Sequence, residues 1–379
     1  MSDISQECIV KSKEVCNVLN DFINTDNLSN IIPSPVSNRY RNRINFAIGY
    51  DSTSKITIGP LQSNKTVLPA ETILSSSQIS IDICKFIEIW ISTKSLFNPV
   101  KYQKSLTGLW RHLTIYNTKL NQIMIVFHLQ NMSNMKELGE NEVVKIFNNI
   151  SQFLETTDFK LISGYYQNSD SMLETRNYHP YYHIFGDKCI YEQLDNHLFS
   201  ISPGSFFQVN SFTAEIIYNK ILEISTLSKD KVVLDLCCGT GTIGIFLAEY
   251  CYKVYGIDCS ESSIIDAKEN AKLNNMTNTH YFCDYVEKKI IDILALEDLA
   301  NKEIIVIVNP PRRGLYPAVL NAIYQCSRIS QIIYLSCNLV SLSRDLKLLN
   351  IKSENIKNII PIDQFPHTKH CEILVNFIT

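Results

Sequence analysis

No two of the twelve cysteines in this 379-residue chain are spaced as C-x2-C, which speaks against a disulfide scaffold. A secretory signal is also missing. The opening Met1-Ser2-Asp3-Ile4-Ser5-Gln6-Glu7 has two acids and no arginine, unlike a mitochondrial transit peptide. Reduced thiols and a cytoplasmic location are therefore expected, with nucleus and mitochondrion left open. Long apolar runs are absent as well. Ile304-Ile305-Val306-Ile307-Val308 falls far short of the about 20 residues that a bilayer requires, so no membrane role is expected. Net charge is small, formally −3, which excludes nucleic-acid binding through overall charge and leaves only a local basic surface. There is no internal repeat.

What is present is a large apolar fraction, 45%, enough to bury a sizeable core in two or three domains. Helical spacing covers residues 8–22 and 79–91, and strand patterns cover 44–50 and 123–129. The Asn- and Ser-rich stretch 17–38 reads as a linker or a loose surface helix. After it, Arg39, Arg41 and Arg43 alternate. In an extended segment they share one face and match successive phosphates, although a solvated edge strand explains them equally well. Trp110-Arg111 and the tyrosines Tyr165, Tyr166, Tyr178, Tyr181 and Tyr182 suit base stacking or core packing alike.

From about residue 200 apolar strands alternate with helices, the pattern of a doubly wound parallel α/β sheet. Strands are predicted at 232–236, 253–257, 280–282, 304–308 and 331–335, with a final pair at 358–362 and 373–377. The intervening helices are 243–250, 261–274, 318–327 and 339–349. The first of these strands runs into Cys237-Cys238-Gly239-Thr240-Gly241-Thr242-Ile243-Gly244, a G-x-G-x-x-G turn opening a helix, and Asp258 ends the next strand. A dinucleotide site has the same layout. Asp235, just before the turn, favours S-adenosylmethionine, because a carboxylate attracts an amino group and repels a pyrophosphate. Asp284, at the end of the third strand, suits an adenine amino group, or else caps the segment that follows. Adjacent cysteines cannot readily chelate one zinc, so Cys237-Cys238 reads as small side chains in a crowded turn.

Cys337, in Ser336-Cys337-Asn338, ends a predicted strand at the carboxyl edge of the sheet, where open α/β folds bind ligands. A thiolate there can add to an electron-poor ring, and a carboxylate can remove a proton from it. Glu372, at the start of the last strand, is the candidate carboxylate. The neighbouring strand end carries Asn309-Pro310-Pro311-Arg312, in which Asn309 can hydrogen-bond a pyrimidine edge and Arg312 can hold a phosphate or ring oxygen. His367, His370, Cys371 and Glu372 lack an established zinc-ligand spacing, so no metal is expected.

With these residues in hand, the chain resembles the RNA (uracil-5)-methyltransferases, especially the transfer-RNA T-loop enzymes. The matching segments are Tyr40-Arg41-Asn42-Arg43, Ile201-Ser202-Pro203-Gly204-Ser205-Phe206-Phe207-Gln208-Val209-Asn210, Val233-Leu234-Asp235-Leu236-Cys237-Cys238-Gly239-Thr240-Gly241, Asn309-Pro310-Pro311-Arg312, Ser336-Cys337-Asn338 and Phe365-Pro366-His367-Thr368-Lys369-His370-Cys371-Glu372. The resemblance implies a class I methyltransferase domain over 200–379 and an α+β RNA-recognition region over 1–199. It makes Cys337 the nucleophile and Glu372 the proton acceptor. It also implies S-adenosyl-L-methionine contacts at Gln208, Cys237, Asp258 and Asn309, while Gly239 of the turn allows the close approach of the cofactor. Transfer RNA, bound through its T arm, is the implied partner, with Arg39, Arg41, Arg43 and Arg312 on the RNA, and no obligate protein partner is indicated. Three departures stand out: Asn309 where the family usually has aspartate, Asp258 where glutamate is commoner, and no N-terminal iron–sulfur cysteines or appended barrel. The last favours transfer over ribosomal RNA. Ribosomal-RNA uracil-5 methylation, RNA cytosine-5 methylation and a catalytically weakened RNA-binding or folding factor remain alternatives.

Overall fold

The computed structural model describes residues 3–102, 108–130, 136–169 and 180–378. Helix α1 (Asp3–Val18) is followed by β1 (Arg43–Tyr50), β2 (Ile56–Gly59), α2 (Gln78–Thr93), β3 (Trp110–Asn117), β4 (Gln122–Gln130) and α3 (Lys136–Leu154). Next come β5 (Lys160–Ser169), β6 (Tyr181–Gly186), β7 (Ile190–Leu194), β8 (His197–Ile201), α4 (Ser211–Ile224), β9 (Val232–Leu236) and α5 (Thr242–Ala248). The chain continues through β10 (Lys253–Asp258), α6 (Glu261–Leu273), β11 (Thr279–Cys283), α7 (Val286–Leu294), β12 (Ile304–Val308) and α8 (Pro317–Gln325). It ends with β13 (Ile329–Ser336), α9 (Leu339–Leu348), β14 (Ile356–Ile362) and β15 (Glu372–Ile378). No helix among the described residues is long and apolar enough to cross a membrane.

Two compact units result. One comprises Met1–Ser37, Leu194–Phe199 and Ser205–Thr379, and the other Asn38–Gln193 with Ser200–Gly204. The first is built on a seven-stranded sheet ordered β11-β10-β9-β12-β13-β15-β14. Strands β9 to β13 pair in parallel and β15 runs antiparallel to both its neighbours. Every residue of β9 and β12 is buried, Asp235 of β9 included, as Val/Ile/Leu-rich strands demand when helices cover both faces. Each fully buried side chain of this kind contributes about 1.5–3 kcal/mol. This is the doubly wound class I methyltransferase arrangement expected from the sequence. The sequence reading covers neither α4 nor α7, which buries Val286, Ile290 and Ile293 with Leu294 packed beside them.

The stretch 17–38 is neither linker nor loose helix. Leu28 and Ile32 bridge in parallel to Ile359 and Ile362 of β14, and buried Asn27 donates its amide to the Phe22 carbonyl. Asn24 accepts the N–H groups of Asp26 and Asn27, so that with Asn27 it shapes the backbone of an edge segment. Nearby, Lys11 of α1, only 2% exposed, pairs with buried Asp363 at 2.7 Å and donates to the Phe365 carbonyl at 3.2 Å. Glu7 accepts the backbone N–H of His367. Helix α1 thus holds the loop that leads into Glu372.

The other unit has a six-stranded sheet, β2-β1-β3-β4-β5-β6. Strands β4 and β5 are parallel, so a crossover is required and α3 supplies it. Both α2 and α3 bury apolar residues, among them Ile83, Ile87, Ile146 and Phe147, in the core of this sheet. Trp110, Tyr165 and Tyr166 are buried, which assigns them to packing rather than base stacking. Tyr166 stacks on Tyr182, ring centroids 4.8 Å apart, while Tyr178 lies outside the described residues. The three arginines do not share one extended face. Arg39 has φ +57, a left-handed turn residue, Arg41 makes an isolated bridge to Ser76, and only Arg43 belongs to β1. Arg43 lies 5.0 Å from the Tyr116 ring centre.

Candidate active site

Strand order reverses between β9 and β12, and the loops after both strands flank that switch point, where open α/β sheets take their ligands. A backbone hydrogen bond from Asn309 N–H to the Leu236 carbonyl, 3.3 Å, ties the two loops together. In the turn after β9, Cys237 adopts φ +61, a conformation that costs a non-glycine residue about 1 kcal/mol or more. Gly241 has φ +76, and a Cβ on it would lie 2.8 Å from the Tyr281 hydroxyl, so only glycine fits. Burial pushes the Cys237 thiol up to about 12, with Asp258 and Asp235 adding to the shift. A thiol raised so far stays protonated near neutral pH.

The carboxylates around this turn divide their work. Asp258 accepts the Gly239 N–H at 3.0 Å and the Ser260 N–H at 2.9 Å. Asp235 Oδ2 accepts the Gly244 N–H at 3.0 Å, whereas its Oδ1 is buried with no hydrogen-bond partner. Burial raises the Asp235 carboxyl to about 7, against the Gly244 bond that lowers it. A buried acceptor left without a donor costs about 1–3 kcal/mol. A ligand ammonium would satisfy it. Above the turn, a Cβ on Gly239 would meet nothing closer than Phe206 at 3.8 Å, so there is room for a ligand. The residues present therefore fit an amino-acid-bearing cofactor such as S-adenosylmethionine. Gln208, buried, accepts from Gln364 at 3.1 Å. Asp284 accepts the N–H of Tyr285 at 2.8 Å.

At the next strand end, Ser336 pairs with Ile373 across β13 and β15. Continuing that antiparallel register by one residue sets Cys337 opposite Glu372. Asn338 caps α9, accepting the N–H groups of Val340 and Ser341 at 3.0 and 3.3 Å, which fixes the chain on the other side of the thiol. Burial raises the Cys337 pKa and the Glu372 charge raises it further, while Arg312 opposes both through its charge and a side-chain hydrogen bond. Glu372, 5% exposed, is pushed by burial to about 8, again with Arg312 pulling the other way. Arg312 therefore acts on thiol and carboxylate together. Arg39, Arg41 and Arg43 belong to the other unit.

A further group was not anticipated. Asp345 of α9 is fully buried and its Oδ2 accepts both the Tyr334 hydroxyl, 2.7 Å, and the Leu315 N–H, 2.8 Å. Arg344 bonds its Oδ1 at 2.8 and 2.6 Å. Strand β13, helix α9 and the loop carrying Arg312 are joined there. The readable signal was an acid on the same helix stripe as Leu342 and Leu346.

The family profile described as tRNA (uracil-5-)-methyltransferase matches residues 10–378. A putative RNA methyltransferase of Acanthamoeba polyphaga mimivirus is 31% identical over 95% of this chain and 90% of its own length. The tRNA (uracil-5-)-methyltransferase homolog B of Homo sapiens is 30% identical over 92% of this chain and 71% of its own. Homolog A of Homo sapiens is 29% identical over 92% of this chain, but this chain spans only 58% of it. Among solved structures, the Pyrococcus abyssi tRNA (uracil-54, C5)-methyltransferase in complex with S-adenosyl-L-homocysteine shares the fold. Its TM-score is 0.77 at 24% identity, covering 99% of this chain and 83% of that one. With a profile match running almost end to end, this chain belongs to the tRNA (uracil-5-)-methyltransferase family.

Proposed function

We propose that this protein methylates C5 of a uridine in the T loop of transfer RNA, the position equivalent to the uracil-54 named for the Pyrococcus abyssi enzyme. The observation that carries the reading is the convergence of Cys337, Glu372 and Arg312 on one sheet edge. S-adenosylmethionine, when bound, supplies an electrophilic methyl group. Asp235 Oδ1 is the acceptor for its ammonium and Asp258 for its ribose hydroxyls, with Gln208, Cys237, Gly239, Asp284 and Asn309 lining the same pocket.

Uracil C5 is too weak a nucleophile to be alkylated unaided. The Cys337 thiolate adds to C6, the C5=C6 π pair becomes an enolate across C5, C4 and O4, and C5 becomes nucleophilic. Once C5 carries the methyl group, the Glu372 carboxylate removes its remaining proton. The C5=C6 bond re-forms and the C6–S bond breaks, returning the thiolate. Arg312 favours the ionised forms of both groups in a buried site that otherwise disfavours them. The 38–193 unit, with Arg41 and Arg43, is the RNA-recognition region in this reading, and the uridine leaves its loop to reach the thiol.

The test is transfer of a labelled methyl group to an unmodified transfer-RNA transcript, followed by nucleoside mass spectrometry. The expected product is 5-methyluridine in the T loop, absent when that uridine is replaced by cytidine. Formation of 5-methylcytidine, or no transfer at all, would refute the assignment.

A further inference from the structure

The loop after β12 combines a fastened backbone with exposed side chains. Pro310 and Pro311 restrict φ, and the Gly314 N–H closes a turn onto the Pro311 carbonyl at 2.8 Å. Leu315 N–H is held by buried Asp345, and Arg344 Nη2 donates to the carbonyls of Arg313, 2.8 Å, and Leu315, 3.2 Å. Gly314 has φ +76, and a Cβ there would lie 2.5 Å from Asp345 Oδ2, so the loop sits directly on its anchor. Tyr316 is the N-cap of α8 and is followed by Pro317, which fixes its backbone too.

Above this base, the Arg313 guanidinium lies 4.5 Å from the centre of the Tyr316 ring. Arg313 is exposed and Tyr316 is 42% exposed. Arg312, the preceding residue, reaches Cys337. A planar cation over an aromatic ring, wet on its outer side and one residue along the chain from the arginine that reaches the reacting thiol, offers a flat surface to a nucleobase. Withdrawing one base from a folded loop leaves its neighbours short of a stacking partner.

We propose that the Arg313–Tyr316 pair is a stacking platform for a nucleotide flanking the target uridine, and that the Asp345–Arg344 clamp holds this platform in position. The proposal rests on the function proposed above. Arg313 also adds charge for the adjacent phosphate.

The experiment places 2-aminopurine at each nucleotide flanking the target uridine of a T-arm RNA in turn. Fluorescence and RNA affinity are measured with wild type, Tyr316→Ala and Tyr316→Phe. Wild type should quench one of the two positions on binding. Tyr316→Ala should lose that quenching and bind RNA about five- to hundredfold more weakly, and Tyr316→Phe should retain both. S-adenosylhomocysteine affinity, measured by calorimetry on the same variants, should not move. Unchanged quenching and affinity in Tyr316→Ala, or a loss confined to cofactor affinity, would overturn the platform while leaving the methyltransferase reading intact. A wild type that makes no T-loop 5-methyluridine would refute that reading and the platform with it.

Discussion

Replacing Glu372 by glutamine is expected to abolish turnover and, at the same time, to stabilise the folded protein by an amount that grows with pH. Burial raises this carboxyl from 4.5 to about 8 in the fold, and the unfolded chain returns it to the lower value. Between those two values the folded state keeps a proton that the unfolded state has released. Stability therefore falls as pH rises from about 4.5 to about 8 and is level above that. At about 1.4 kcal/mol per unit, the penalty is about 1 kcal/mol at pH 5, about 3 kcal/mol at pH 7 and approaches about 5 kcal/mol above pH 9. Glutamine keeps the size and removes the charge, so Glu372→Gln should recover most of this. For a unit of this size each kcal/mol raises Tm by about 2–4 °C. Thermal unfolding of both proteins at pH 5, 7 and 8.5 measures the effect. A stability difference that is independent of pH, or a variant less stable than wild type at pH 8.5, would refute the reasoning.

Arg312→Gln removes the main opposition to burial and the Glu372 charge at Cys337. The rising limb of kcat/KM against pH should move to more alkaline values, and alkylation of Cys337 at pH 8, followed by peptide mass spectrometry, should slow. An unmoved profile would contradict the pairing. Lys11→Met strands the buried Asp363 carboxylate and should destabilise by about 3–5 kcal/mol. Adding Asp363→Leu should restore most of that in denaturant melts, and a single variant as stable as wild type would show that the pair does not fasten α1. Asp235→Asn removes the unpartnered acceptor and should weaken S-adenosylhomocysteine binding in calorimetry by about tenfold or more. Equal affinity would place the ammonium elsewhere.

Much of the catalytic sheet was legible because its strands are apolar runs, broken in β9 only by Asp235: 232–236 and 304–308 appear in the structure with the same bounds. The glycine turn after β9 was equally plain. Sheet order was not. Strand β15 inserts between β13 and β14, and only that insertion brings Glu372 beside Cys337, two residues that no local pattern connects. Their roles came from family resemblance. Lys11 and Asp345 were missed because Asp363, which pairs with the first, and Leu315 and Tyr334, which bond the second, lie elsewhere in the sequence, although each is a charge on an apolar helix face, beside Val15 and between Leu342 and Leu346. The arginine alternation misled for a local reason. A period of two presumes extended backbone, and Arg39 has turned left-handed. In the 38–193 unit the parallel β4–β5 pairing depends on a crossover that periodicity alone does not specify.

The most direct measurement is adduct formation with a T-arm RNA whose target uridine is replaced by 5-fluorouridine. Fluorine at C5 cannot leave as a proton, so a Cys337–C6 bond, once the ring is methylated, is trapped. Wild type with S-adenosylmethionine should give a complex that survives denaturation and maps to Cys337, and Cys337→Ala should give none. A variant lacking the thiol that still methylates the natural RNA would contradict the account.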